Sequence, residues 1–98
     1  MGTYYQFTCG ECDFETEVSG GFDIGMVAAT QTIICRDCGN LVDVLVGDAP
    51  TTDPEDVVSM TLHCPTSTRH EVAQWNHPGP CPKCGKTMTR GAETVLWD

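Results

Sequence analysis

Basic residues are scarce in this 98-residue chain, which has five lysines and arginines against 14 aspartates and glutamates and a formal net charge of −9. A chain of that charge repels phosphate backbones. All five basic residues lie inside, beside or within a few positions of the cysteine motifs and candidate ligands described below: Arg36, Arg69, Lys83, Lys86 and Arg90. We interpret them as compensation of thiolate charge. No basic stripe is left for DNA or RNA, so we expect no nucleic-acid partner.

Long apolar runs are also absent. No apolar stretch approaches the roughly 20 residues that a membrane span requires. Residues 1–7 have neither the basic residues nor the apolar run of a secretory leader. We therefore expect no membrane association and a reducing, cytoplasmic location, where disulfides are rare.

The cysteine spacing indicates metal binding. Six of the seven cysteines form Cys-x2-Cys pairs, and one stands alone: Cys9 with Cys12, Cys35 with Cys38, Cys81 with Cys84, and the single Cys64. Two thiolates three positions apart on a tight turn can reach one ion, and the glycine after the third pair, Gly85, permits a positive φ that turns backbone amides toward the sulfurs. An odd number of cysteines in such pairs favours a metal over disulfides, and zinc is the usual ion.

The donors divide into two predicted sites of four, with two Zn²⁺ ions per chain. We call each Cys-x2-Cys turn a knuckle. The first site is predicted from the first two knuckles, which can face each other across one hairpin connection: Cys9, Cys12, Cys35 and Cys38. The second is predicted from the remaining cysteines and one histidine: Cys64, Cys81, Cys84 and His70. We prefer His70 because it is far enough from Cys81 to approach the ion from the opposite side; His77, His63 and a non-protein ligand remain alternatives.

The pattern of β-forming residues predicts a small metal-stabilised all-β fold of two zinc-ribbon-like units, built from short antiparallel strands and joined by a Pro/Asp-rich linker. The predicted division is an N-terminal zinc ribbon over 1–47, a linker over 48–56 and a C-terminal zinc-binding unit over 57–98, which begins with a strand over 57–64. The glycine-rich segment 19–26 is predicted to be a loop. Its alternative role is a partner-contact loop that exposes Phe22, Ile24 and Met26.

Two resemblances accompany these patterns. The order of strands and Cys-x2-Cys pairs in 1–47 resembles a zinc ribbon of the rubredoxin-like kind. In the second half, Cys64-Pro65, His70-Glu71-Val72 and Pro78-Gly79-Pro80-Cys81-Pro82-Lys83-Cys84-Gly85 are similar to the heavy-metal-binding domain of copper-transporting ATPases and efflux adaptors. That resemblance implies metal binding by His70, which aligns with the family histidine. Thr66 and Lys86 stand where that family has methionines.

These observations lead us to expect a non-enzymatic protein with two structural zinc sites that contacts a protein partner through an acidic surface. Four protein ligands per ion leave no open position for a catalytic water. The alternative is a metal-handling protein, because soft ligands also suit copper or cadmium. Rubredoxin-like electron transfer is a third possibility. Thiol–disulfide chemistry is disfavoured because residues 41–44 after Cys38 indicate a strand, whereas redox Cys-x2-Cys pairs open helices.

Overall fold

The computed structural model describes residues 2–48, 52, 55, 57, 62–67 and 69–97. The described residues form seven strands: β1 Gly2–Thr8, β2 Glu15–Val18, β3 Phe22–Ile24, β4 Ala28–Cys35, β5 Asn40–Asp48, β6 Val72–Gln74 and β7 Thr89–Trp97. Glu55 and Val57 have helical backbone conformation. The prediction of a small, nearly all-β chain is confirmed.

The first sheet has the strand order β2-β1-β7, and both pairings are antiparallel. The first Cys-x2-Cys knuckle connects β1 to β2 at the end where Thr8 pairs with Glu15. Along β2 the side chains alternate between exposed Glu15 and Glu17 and more buried Thr16 and Val18. This period-two pattern agrees with the amphipathic strand predicted from the sequence.

The second sheet is built around β4. It pairs with β5 along one edge, and along the other edge with β3 near its start and β6 near its end. The last five side chains of β4, from Gln31 to Cys35, are all buried. A strand that is covered on both faces has apolar or β-branched residues at consecutive positions, because the side chains on both faces are buried. Thr32, Ile33 and Ile34 follow one another here for that reason.

The main core lies between the two sheets. Phe7 of β1 is fully buried and packs edge-to-face on Trp75, with ring centroids 5.2 Å apart. Ile34 and Leu41 of the second sheet belong to the same cluster. The indole N–H of Trp75 donates a hydrogen bond to the Pro80 carbonyl at 2.8 Å. The opposite face of the second sheet is covered by a smaller cluster: Ala29, Val46 and Val57, with Phe22, Ile24, Val44 and Leu62 packed against them.

Both sheets combine residues from the two sides of the predicted linker. Strand β7 pairs with β1, and β6 pairs with β4. The predicted division into 1–47, 48–56 and 57–98 therefore does not correspond to the division into sheets. Within 48–56 the described residues are Asp48, Thr52 and Glu55, and the Thr52 amide donates to the Asp48 carbonyl at 3.1 Å.

Two local expectations differ from the structure. Of the strand predicted over 57–64, Val57 is helical and 62–64 lie in no strand, while 58–61 lie outside the described residues. The glycine-rich segment predicted as a loop contains the short strand β3. Phe22 and Ile24 point into the smaller apolar cluster, so Met26 alone of the three proposed contact residues is exposed.

We expect Phe7→Ala to lower the free energy of unfolding of the zinc-loaded protein by about 3–5 kcal/mol, because it leaves a cavity between the sheets. Leu96→Ala is the matched control, since Leu96 is 58% exposed and its truncation should change stability by no more than about 0.5 kcal/mol. Denaturant unfolding at fixed excess zinc measures both values. Equal effects of the two substitutions would show that the sheets do not pack through Phe7.

Candidate metal centres

The three Cys-x2-Cys knuckles share one backbone geometry. In each, the residue after the second cysteine donates its amide to the carbonyl of the first: Asp13 to Cys9 at 3.0 Å, Gly39 to Cys35 at 2.9 Å and Gly85 to Cys81 at 2.9 Å. That same residue has a positive φ of 61°, 65° and 81°, respectively. Glycine adopts this conformation freely and aspartate tolerates it better than most residues do. The positive φ expected at Gly85 is confirmed, and Asp13 takes the equivalent position in the first knuckle.

The first cluster joins the first and third knuckles. Its four sulfur donors lie within 4.8 Å of one another: Cys9, Cys12, Cys81 and Cys84. The sulfur atoms of Cys9 and Cys84 are 3.4 Å apart, and those of Cys12 and Cys81 are 3.5 Å apart. Pairing of β1 with β7, which brings Thr8 opposite Thr89, carries the third knuckle to the end of β1.

The second cluster joins the second knuckle to the segment before β6. Its donors are Cys35, Cys38, Cys64 and His70. His70 Nδ1 lies 3.5 Å from the Cys35 sulfur and 3.4 Å from the Cys38 sulfur. The sulfur atoms of Cys38 and Cys64 are 3.7 Å apart.

Backbone pairing holds the segment that contains Cys64 and His70 beside the second knuckle. Val72 of β6 lies opposite Cys35 in the antiparallel ladder, so the residues just before β6 run past the Cys35 turn. The Glu71 amide donates to the Asp37 carboxylate at 2.9 Å, within that turn. His70 donates its amide to the Ser67 carbonyl at 3.3 Å, which folds the 64–70 loop back on itself.

Both donor sets have the separations of a tetrahedral site. With Zn–S bonds of about 2.3 Å, two sulfur ligands lie about 3.8 Å apart, and a sulfur and an imidazole nitrogen about 3.6 Å apart. The sulfur–sulfur distances given above are 3.4–3.7 Å and the sulfur–nitrogen distances 3.4–3.5 Å. Thiolate and imidazole donors suit zinc and softer cations better than magnesium or calcium. The eight residues can therefore hold two metal ions.

The predicted partition of the ligands was wrong. We expected the first knuckle to pair with the second, and the third to pair with Cys64 and His70, whereas each cluster takes half of its ligands from each half of the chain. The reason is strand order. The first knuckle lies in the first sheet, at the end of the β1–β2 hairpin, and meets the segment that precedes β7. The second knuckle lies in the second sheet, at the end of the β4–β5 hairpin, and meets the segment that precedes β6.

His70 belongs to a cluster, and the other two histidines lie elsewhere. His77 packs on Phe7 with ring centroids 5.6 Å apart, and its buried Nδ1 has no hydrogen-bond partner within the described part of the chain. Its ring supports the core between the sheets. His63 is exposed and is in neither cluster.

Backbone amides and neighbouring sulfurs push the thiol pKa values apart within each cluster. The hydrogen bond from the Glu11 amide lowers the pKa of Cys9 to about 7, and that from the Thr66 amide lowers the pKa of Cys64 to about 6. A hydrogen bond with Cys35 raises the pKa of Cys38 to about 11. The protonated Cys38 thiol can donate to the neighbouring sulfur, so the bond stabilises the protonated form of Cys38. A bound cation would displace the remaining protons, so metal affinity should fall as pH falls.

Lys83 links the two centres. A Cβ placed on Gly39 would lie only 3.1 Å from the Lys83 ammonium nitrogen, so this side chain of the third knuckle rests against the second. The two clusters are therefore neighbours at one end of the molecule. The ammonium offsets part of the negative charge that two thiolate-rich centres concentrate there.

Comparison with known proteins shows that no family model, no curated protein and no solved structure matches the chain. Among the described residues, no helix has the length and apolar character needed to cross a membrane.

We expect cadmium-113 NMR of the Cd²⁺-substituted protein to show two signals with separate sets of ligand couplings. The β-protons of Cys9 and Cys81 should couple to one cadmium, and those of Cys35 and Cys64 to the other, because these pairs share clusters. Coupling of Cys9 and Cys35 to the same ion would instead restore the partition predicted from the sequence.

We expect His70→Ala to weaken metal binding at the second cluster by more than the roughly 10–100-fold that loss of an outer-shell partner costs, because it removes a direct ligand. His77→Ala should leave both affinities unchanged, since His77 lies outside the clusters, although it should lower stability by loosening the Phe7 core. Competition titrations against a chromophoric chelator measure the affinities. Loss of metal only in His77→Ala would contradict the assignment.

Proposed function

We propose that this chain is a non-enzymatic protein that binds two structural zinc ions and contacts a protein partner through its acidic surface. The observation that carries the proposal is the completeness of both donor sets. Each cluster has four protein ligands at tetrahedral separations. Four such ligands close the coordination sphere and leave no position for a reactive water.

The size of the metal contribution supports a structural role. Binding of a structural zinc ion is worth about 10–16 kcal/mol at neutral pH. The net stability of an entire small domain is only about 5–15 kcal/mol. Because each cluster bridges segments that are distant in sequence, loss of either ion would release the ends of a sheet. The folded state would then depend on both ions.

The charge of the chain supports a protein as the partner. Binding of two zinc ions with loss of seven thiol protons would change the formal net charge from −9 to about −12. Nucleic acids and anionic membranes would be repelled by such a surface. A cationic protein surface would be attracted at long range, which raises association rates.

Metal transfer is the second candidate, and one observation favours it. Three of the ligands, Cys12, Cys38 and Cys84, are exposed. An exposed thiolate can be attacked by an incoming ligand or passed to an acceptor, whereas a fully buried centre exchanges slowly. The all-sulfur first cluster could also hold iron, as electron transfer would need.

We expect native mass spectrometry of protein purified without added metal to show two zinc ions per chain. Their removal by a chelator at neutral pH should abolish the cooperative unfolding transition, because the free energy of zinc binding then no longer stabilises the folded state. Zinc that passes within minutes to a weaker-binding apo-protein would instead favour metal transfer. Iron in the purified protein, with visible charge-transfer absorption, would favour electron transfer.

A further inference from the structure

One side chain of the third knuckle reaches the second knuckle. Lys83 lies between the ligands Cys81 and Cys84, and its amide donates to the Cys81 sulfur at 3.4 Å. Its side chain lies along Gly39, where an added Cβ would be 3.1, 3.5 and 3.6 Å from the Lys83 Nζ, Cε and Cδ atoms. The backbone of Lys83 therefore belongs to the first cluster, while its ammonium lies against the knuckle of the second cluster.

Glycine at position 39 leaves room for this lysine. The equivalent position of the first knuckle holds Asp13, with a φ of 61° against 65° at Gly39, so the turn itself accepts a side chain. In the third knuckle, a Cβ added to Gly85 would meet nothing within 4 Å. A side chain at position 39 would displace Lys83, whereas a side chain at position 85 would point into open space.

A bound zinc ion would leave each centre anionic. Four thiolates with one Zn²⁺ carry a net charge of −2, and three thiolates with a neutral imidazole and one Zn²⁺ carry −1. An unfolded chain without metal carries little of this charge, because free thiols are mostly protonated at neutral pH. A cation held beside either centre therefore favours the metal-bound state over the metal-free state.

Lys83 supplies such a cation to the second centre. Among the described residues, no carboxylate forms an ion pair with its ammonium, so no neighbouring side chain there neutralises the charge. Gly39 directly follows the exposed ligand Cys38, so the ammonium is beside a ligand of the second cluster. The Debye length at physiological ionic strength is about 8 Å, and a charge in contact with the knuckle acts within that length.

We propose that Lys83, although it lies between two ligands of the first cluster, determines the metal affinity of the second cluster: its ammonium stabilises the metal-bound thiolates there. This inference rests on the proposed function, since it names a charge that supports one of the two metal sites. It also makes the centres interdependent. An ion at the first cluster would fix the third knuckle, and the third knuckle holds Lys83 in place.

Site-resolved metal affinities test the proposal. The chain loaded with ¹¹³Cd²⁺ should give one NMR signal for each cluster, and loss of each signal against increasing chelator measures the two affinities separately. We expect Lys83→Met, which keeps the aliphatic stem and removes the charge, to lower the affinity of the second cluster by about two- to fivefold at low salt. The loss should shrink as salt is raised, and Lys83→Arg should restore the affinity, because both responses depend on charge rather than packing.

A double-mutant cycle tests the contact itself. Gly39→Asn adds no charge and uses a residue that tolerates a positive φ, but its side chain would push the Lys83 ammonium away. Gly39→Asn and Lys83→Met should therefore have less than additive effects on the second cluster, since both remove the same contact. Gly85→Asn is the matched control, because the φ there is 81° and the space is open. Its effect should add to that of Lys83→Met.

Lys86→Met is the control for net charge, since it removes one positive charge from the same segment. Any effect of Lys86→Met should fall on the first cluster, because the Lys86 carbonyl accepts from the Cys81 amide at 2.7 Å. The proposal is overturned if Lys83→Met leaves the second cluster unchanged or if Lys86→Met weakens that cluster equally. It is also overturned if neither salt nor Lys83→Arg reverses the loss, or if the Gly39 cycle is additive.

The zinc content of the purified protein separates this proposal from the proposed function, because cadmium affinities can be measured whichever ion the purified protein contains. Protein purified with two zinc ions, whose second cluster is insensitive to Lys83→Met, would remove the role of Lys83 alone. Protein purified without zinc, whose second cluster loses cadmium affinity in Lys83→Met, would remove the structural-zinc role alone.

Discussion

Four thiolate or imidazole donors within 4.8 Å of one another form the constraint on which this structure depends. Without a cation, thiolates at that distance repel, and the protons that relieve the repulsion are held unevenly, as the pKa values near 6 for Cys64 and near 11 for Cys38 indicate. A divalent ion reverses the sign of the interaction. The geometry of both clusters therefore suits a bound divalent ion.

The metal centres and the hydrophobic core reinforce each other because they lie at the same joints. Cys9 and Cys81 belong both to the first cluster and to the apolar cluster around Phe7 and Trp75. The knuckles also fix strand ends: the ladder between β4 and β6 begins at Cys35, and the ladder between β1 and β7 begins at Thr8, next to Cys9. Two ions bound at these clusters would tie the strands together near the knuckles, so a modest core would be enough to keep the chain folded.

Most of the basic side chains lie beside the ligands of the two clusters. One end holds both clusters and the basic side chains that offset their charge, including Lys83 against the second knuckle. Away from the clusters, the turn between β3 and β4 carries the exposed side chains of Met26 and Val27.

The sequence by itself determined the chemistry of the sites and the local structure around each knuckle. Spacing identified the paired cysteines, the period-two pattern identified strands such as β2, and Gly85 indicated the left-handed turn. The tertiary structure alone decided which ligand pairs form one cluster. The pairings of β7 with β1 and of β6 with β4 join segments that are distant in the chain, and such pairings produce no periodic pattern in the local sequence. For the same reason β6, only three residues long, could not be recognised, and Cys64 and His70 were grouped with the third knuckle instead of the second. The residue type of a ligand specifies which ions it can bind, whereas strand order specifies which other ligands share its site.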